Sequence, residues 1–447
     1  MLVEGLDKLP IKDIATQISN SGFNCVRLSY ATYMFTRYAN NTIRDTFYSL
    51  DIPEVVVSAI EKHNPLILNM THVQAYEAAI DALGEKGVMV LIDNHLSMPE
   101  WCCNNKDQNG FFGDRHFDTH EWLQGLAFIA KHFKGKSNVI AMDLRNELRG
   151  GRQNLPDWYK YKKTLDLNFT NKLVYEAHIY SFSGTQDRWD LQPLNWVCSS
   201  VIETLKDQAG FLINGDNPVP LFISEFGYDM TGVNHVDNKF FPCFVSYAAS
   251  VDLDWSLWSF GGSYYYREGT VGAGETYAVM DYDWKNFTDP KFPEKFQLLQ
   301  KKVQDPSSNL SKSHIMFHPL TGKCAHVNKS NNELVLGDCK SHSQWSSEGN
   351  GSPIRLIDSA LCLKAEGEGL PATLSKHCLS QQSSWRSVSK TGLHLATSDG
   401  NKSRLCLETD SDSSKIVTRK CICIDDYDSS CLDNPQSQWF QLISTNV

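Results

Sequence analysis

The stretch VIAMDLRNE (139–147) reads as a short apolar strand that ends on a polar cluster, Asn146 and Glu147. The same pattern recurs on both sides of it. Strand-like runs stand at FNCVRLSY (23–30), VMVLIDNH (88–95), LVYEAHIY (173–180), LFISEFG (221–227) and WSLWSF (255–260). Helical patterns alternate with them at IKDIATQISNSG (11–22), VQAYEAAIDALGEKG (73–87), EWLQGLAFIAKHF (121–133), VCSSVIETLKDQAG (197–210) and EKFQLLQKKVQ (294–304). Short, fully apolar strands separated by helices indicate a parallel sheet covered on both faces. The residues that break the apolar runs, Arg27, His95, Asn146, Glu147 and Glu225, fall at C-terminal strand ends, where an α/β barrel builds its site. An open doubly wound sheet would also bind there, but no Gly-rich phosphate loop follows any strand. The fold expected is α/β, a (β/α)8 TIM-type barrel.

Only six strands are legible, and a closed barrel needs eight. Nothing strand-like precedes the helix at 11–22, so the first strand is read as absent. The stretch 148–172 is long enough for one helix but not for a further strand–helix unit. The fifth strand is therefore read as missing too. Such a barrel is expected to leave the strands at 23–30 and 255–260 unpaired on one side. The strands at 139–147 and 173–180 would be split or forced to pair directly.

VQDPSSNLSKS (303–313) is polar, carries Pro and Ser, and has no apolar period. It reads as a linker at 304–313 between a barrel domain at 1–303 and an all-β domain at 314–447. In the latter, Cys324 and Cys339, Cys362 and Cys378, and Cys406 and Cys421 form three evenly spaced pairs, each followed by a Trp: Trp345, Trp385 and Trp439. Three stapled units of roughly 40 residues imply a pseudo-threefold β structure. Cys423 and Cys431 read as a further loop closure, and the adjacent Cys102 and Cys103 as partners of other cysteines.

Composition excludes several function classes. The net charge is -10 and Lys and Arg form no runs, which argues against a nucleic-acid backbone as partner. No stretch approaches the length of a membrane-spanning helix. The start MLVEGLDKLP lacks the basic and apolar regions of a signal peptide. Against that stand 13 cysteines and sequons at Asn40, Asn69, Asn168, Asn286, Asn309, Asn328 and Asn401, which suit the secretory pathway. No His/Cys grouping has zinc spacing, so neither metal nor cofactor is expected. Aromatics make up 11% of the chain, enough both for a large core and for flat platforms that suit sugar faces. Trp101, Trp122, Trp158 and Tyr264 to Tyr266 are candidates for outer platforms.

Most of the 52 Asp and Glu are solvated surface. A Glu in an apolar strand is costly unless paired or functional. Glu147 and Glu225 meet that condition, and two carboxyls facing one bond are what glycoside hydrolysis needs. Here the chain resembles glycoside hydrolase family 5, the cellulase-like enzymes, especially plant members with a ricin-type lectin domain. The resemblance extends over nearly all 447 residues. It rests on Asn146-Glu147, Glu225, Arg27 in NCVRL, His95 in LIDNH, His178 and Tyr180 in EAHIY, and Trp258 in DWSLW. A lone strand-end His or an Arg–Glu pair is more often structural than catalytic. Eight such residues in order are specific.

The resemblance implies that Glu147 is the acid/base and Glu225 the nucleophile of a retaining enzyme. Arg27 and Tyr180 would keep Glu225 ionised, Asn146 would bond the sugar 2-hydroxyl, His95 and His178 would orient, and Trp258 would be a stacking floor. It also implies a β-linked glucan or mannan substrate, a monomer, and an extracellular or cell-wall location. Typical members have a strand between the positions matching 147 and 173, so the resemblance implies an internal deletion near Tyr161 and Lys162. The C-terminal part resembles a ricin B-type β-trefoil, with SQW (343–345), SSW (383–385) and SQW (437–439) in place of Gln-x-Trp. Where sugar-binding repeats carry Asp, this chain has His326, Lys364 and Glu408, so binding there is expected to be weak or absent. The alternative reading is a catalytically impaired carbohydrate-binding protein derived from such an enzyme.

Overall fold

Each apolar run named above becomes a short parallel strand in the computed structural model, which describes residues 3–154, 172–184, 188–214, 218–398, 403–410, 414–424 and 430–447. Trp158, the expected deletion point at Tyr161 and Lys162, and the sequons at Asn168 and Asn401 lie outside those residues. The chain divides into two units, Met1–Leu173 with Trp258–Thr288, and Val174–Leu257 with Asp289–Val447.

In the first unit, β1 (Cys25–Ala31), β2 (Met89–Leu96) and β3 (Val139–Met142) form a parallel sheet in that order. Leu28 stands opposite Ile92, and Ile92 opposite Met142, so one apolar rung crosses all three strands. Helix Ile11–Asn20 buries Ile14 and Ile18, and helix His72–Gly84 buries Ala75, Tyr76, Ala79, Ile80 and Leu83, all in the core that includes Leu28, Val90 and Ile92. The second helix begins on a capping box, Thr71 with Gln74, which satisfies two otherwise orphaned backbone N–H groups. Its Tyr76 hydroxyl donates to the Leu28 carbonyl at 2.5 Å, which ties helix to strand.

Asn64 holds the start of the chain in place. Its amide donates to the carbonyls of Leu6 and Leu9 at 2.8 and 2.9 Å and accepts from the Ile11 backbone N–H at 2.9 Å. Helices Ile43–Ser49 and Glu54–His63 were not legible as elements because their patterns are short, yet Thr42 with Asp45 is a second capping box. Residues Ser263–Arg267 and Thr270–Gly274 form an antiparallel hairpin, also unanticipated.

In the second unit, β4 (Tyr175–Ile179), β5 (Leu221–Phe226) and β6 (Asp254–Leu257) form another three-stranded parallel sheet. Helix Leu194–Gln208 is joined to helix His235–Ser250 by the Cys198–Cys243 disulfide. Phe240 and Phe244 of the second helix pack with Phe226 of β5, which stacks in turn on Phe296. The parallel strands among the described residues therefore number six, as read, and β1, β3, β4 and β6 each have one strand partner. Several expected elements are shorter than read, the strand at 255–260 among them, which ends at Leu257. The strand at 139–147 stops at Met142, and the helix at 294–304 is confined to Phe292–Phe296.

In the remainder of this unit, from Ser313 to Thr445, the described residues form an eight-stranded and a four-stranded sheet joined by loops and short 3-10 turns. Disulfides Cys324–Cys339, Cys362–Cys378, Cys406–Cys421 and Cys423–Cys431 staple it. Trp345, Trp385 and Trp439 are fully buried. Trp439 donates its indole N–H to Asn195 Oδ1 at 3.0 Å, and the Asn195 amide donates to the Cys423 carbonyl at 2.7 Å, so this β region rests on helix Leu194–Gln208. Residues 304–313 are no loose tether. The Gln304 N–H donates to Asp252 at 2.9 Å, and the Asp305 N–H to Asn446 Oδ1 at 2.7 Å.

Candidate active site

The first unit holds five of the anticipated residues, Arg27, His95, Asn146, Glu147 and Trp258, and gathers them about a charge that the sequence reading passed over. Asp93 on β2 is fully buried and accepts from Arg27 Nη2 at 3.1 Å, from the Ser29 hydroxyl at 2.7 Å and from His95 Nδ1 at 2.7 Å. Burial alone would raise its carboxyl, but Arg27, His95 and Ser29 together hold it below the usual carboxylate range. Arg27 also donates to Asp143 Oδ2 at 2.8 Å and to Asn146 Oδ1 at 2.9 Å. The guanidinium thus spans all three strand ends and fixes the Asn146 amide. The clue was available in the sequence: Asp93 interrupts an apolar strand as Glu225 does.

Beyond β3 the backbone turns, and Arg145 holds the turn from beneath. Its guanidinium donates to Asn94 Oδ1 at 3.0 Å and to the Asn109 carbonyl at 2.5 Å, and lies 4.2 Å from the Phe117 ring centre. Burial pulls it down to about 9. The Asn146 N–H donates to the Asn94 carbonyl at 2.9 Å. Glu147 follows with φ of 28°, a left-handed value that a non-Gly residue holds only where its surroundings impose it. Arg149, paired with Asp107, donates to the Glu147 carbonyl at 3.1 Å and locks that conformation. Glu147 is exposed and lies past the strand, so the argument from costly burial fails for it.

Trp258 stacks on the His95 ring at 5.9 Å and 17°, and meets Trp101 edge-on at 6.2 Å. These rings, with Arg27 and Ser29, line a cavity of 760 Å³ within this unit that also reaches Ile14, Ile18 and Leu50. The Asn146 amide N–H2 points at the sulfurs of Cys102 and Cys103, at 3.5 and 3.7 Å. Those cysteines are bonded to each other, not to other cysteines as expected. Trp122 is not a platform. It is buried against Phe117 and donates to the Leu144 carbonyl at 2.9 Å.

The second unit gathers the other three. Glu225, buried at the end of β5, stands in register with His178 on β4. The Tyr180 hydroxyl donates to Glu225 Oε1 at 2.7 Å, and His178 Nδ1 lies 3.9 Å from the same oxygen. Tyr180 is braced by a parallel stack on Phe182 at 4.8 Å. A carboxylate that accepts from a fixed phenol has its orientation fixed with it.

Comparison with known proteins identifies the family. A profile of the cellulase family (glycosyl hydrolase family 5) matches residues 4–168. A glycosyl hydrolase 5 family protein of Chamaecyparis obtusa is 38% identical over 494 aligned positions, covering 100% of this chain and 87% of that protein. That alignment is longer than the 447 residues here, so the relative carries stretches within it that have no counterpart in this chain. An endoglucanase of Paenibacillus polymyxa is 20% identical over 65% of this chain and 77% of its own length. Among solved structures, the catalytic domain of the major endoglucanase from Xanthomonas campestris pv. campestris superposes with a TM-score of 0.52 at 18% identity. The match covers 67% of this chain and 91% of that one. Such cellulases have the TIM-barrel fold.

Proposed function

Since the chain belongs to glycosyl hydrolase family 5 and is a glycosidase, we propose that it cleaves β-glycosidic bonds of a glucan or mannan polysaccharide with retention of configuration. Glu225 attacks the anomeric carbon and forms a glycosyl-enzyme. Glu147 protonates the leaving oxygen and then deprotonates the water that releases the sugar. The observation that carries the assignment is the 2.7 Å bond from Tyr180 to Glu225, which orients a buried carboxylate at a strand end. Asn146, its carbonyl taken by Arg27 and its N–H2 held by long contacts to the Cys102 and Cys103 sulfurs, donates to a sugar hydroxyl. Trp258 supplies the floor on which a pyranose face packs.

The β region after 313 is proposed as a ricin B-like trefoil with the barrel domain at 1–303. Its three staples and three buried tryptophans support that reading. Its sugar binding is weak, because His326, Lys364 and Glu408 stand where acidic Asp ligands are needed. His326 is further engaged, with Nε2 2.8 Å from the Asp338 carbonyl oxygen.

A second reading, an impaired enzyme that binds sugar without cutting it, is favoured by the six parallel strands in two short sheets among the described residues and by the exposure of Glu147. One experiment separates the two. Purified protein is assayed on β-glucans and β-mannans, with proton NMR of the first-formed anomer. Retained configuration is expected, with activity abolished in Glu225→Gln. Glu147→Ala is expected to keep its first step on substrates with good leaving groups and to be rescued by azide. An inverted product overturns the roles, and binding without turnover selects the second reading.

A further inference from the structure

Glu275 is a nearly buried carboxylate, with 8% of its side chain exposed, that the mechanism above does not use. It follows directly on the second strand of the hairpin, next to Gly274, which pairs with Ser263. Four groups converge on it. Its Oε2 accepts from the Tyr264 hydroxyl at 2.5 Å, from the Trp258 indole N–H at 3.4 Å and from Arg267 Nη1 at 3.5 Å. Its Oε1 accepts from the Tyr277 backbone N–H at 3.0 Å.

Arg267 in turn lays its guanidinium over the Trp101 ring, 3.3 Å from the centre, and Tyr264 meets that ring edge-on at 5.4 Å. The two tryptophans that line the cavity are therefore held from behind by one charge, Trp258 directly and Trp101 through Arg267. An indole packed only by its faces slides and tilts at little cost, because stacking is weakly directional. An indole whose N–H is aimed at a carboxylate has its tilt fixed, and the bond to a charged acceptor is the stronger kind.

We infer that Glu275 is a positioning residue of the sugar-binding wall, setting the tilt of Trp258 and, through Arg267, of Trp101. The inference rests on the proposed reading of Trp258 as the floor for a pyranose ring. Its effect should fall on how well substrate is held more than on the chemical step, because Glu275 touches neither Glu147 nor Glu225 among its contacts above.

The test uses indole-¹⁵N-labelled full-length protein, with Trp258→Phe identifying the Trp258 N–H resonance. Glu275→Ala should shift that resonance and speed its exchange with solvent. Glu275→Gln, which keeps an acceptor oxygen, should shift it less. On a soluble β-glucan oligosaccharide, Glu275→Ala should raise KM about tenfold with kcat changed by less than about threefold, the scale of one charge-assisted hydrogen bond. Glu275→Gln should fall between. An unmoved Trp258 resonance overturns the inference, as does a lowered melting temperature with unchanged KM, which would mark Glu275 as merely structural. If wild-type protein turns over no substrate, the proposed hydrolysis fails. The indole resonance still decides whether Glu275 positions Trp258.

Discussion

Mild acid should loosen the C-terminal β region by an amount that follows from two buried histidines. His318 and His394 are fully buried, and burial pushes each imidazole down to about 4. In the unfolded chain each titrates near about 6.5. Between those values the unfolded chain takes up protons that the folded chain refuses. Stability is therefore fully present above about pH 6.5 and falls as the pH drops toward 4. At about pH 5 the linkage amounts to roughly 2 kcal/mol for each histidine and roughly 4 kcal/mol for both. The surroundings explain the refusal: His318 lies 4.8 Å from the Phe440 ring, and each Nδ1 faces a hydroxyl, Thr321 at 2.9 Å and Ser389 at 3.0 Å. Urea unfolding at about pH 7.5 and pH 5, followed by the fluorescence of the buried tryptophans, measures the loss. The reference is the double variant His318→Asn, His394→Asn, which carries the other titrating groups unchanged. The wild type should lose about 4 kcal/mol more than the double variant over this interval. Equal losses would refute the reasoning.

The N-terminal unit should respond to pH with the opposite sign. Burial pushes the Glu4 carboxyl up to about 8 from 4.5, so its contribution is present below 4.5 and is lost as the pH rises through 8. Hydrogen exchange should show residues around Tyr265, whose N–H Glu4 accepts at 2.9 Å, loosening above neutrality, and Glu4→Gln should remove that dependence. Gly322→Ala should destabilise the second unit by about 2 kcal/mol or more, because φ is +71° and an added Cβ would strike the backbone of Glu294 and Lys295. A melting temperature equal to wild type would contradict that packing. Non-reducing peptide mapping should recover Cys102–Cys103 as a bond within one peptide and the four C-terminal bonds as drawn above. Any cross-repeat pair would contradict the arrangement.

The parallel strands were legible because burial on both faces leaves a sequence little freedom: VMVLIDNH can be little else once it is flanked by helices. Its neighbours were harder to read for definite reasons. Helix His235–Ser250 carries Pro242, and a helix-interior proline ordinarily breaks the period, yet here Asn234 caps the start by accepting from the N–H groups of Val236 and Asp237 and Cys198 ties the middle to its neighbour. Tertiary packing overrode the local signal. The hairpin Ser263–Arg267 was hidden because its tyrosines read equally as core or as platform.

The same division runs through the candidate site. Glu225 announced itself because a carboxylate at the end of LFISEF has to be paid for by a partner, and Tyr180 is that partner. Glu147 was found through its Asn-Glu context, and the burial argument used for it does not hold in the folded chain. Its distinguishing feature is instead a left-handed backbone held by Arg149, two residues on, whose guanidinium is fixed in turn by the distant Asp107. Asp93, Asp143, Arg145 and Glu275 were all passed over: Asp93 interrupts its strand as Glu225 does, while the other three lie outside the strands, where no pattern singles them out. They hold the residues that the motifs marked. A chain read one residue at a time exposes the groups that face a substrate. The charges behind them become visible only once the fold has shown what each one grips, and on the geometry here those charges decide where Arg27, Asn146 and Trp258 stand.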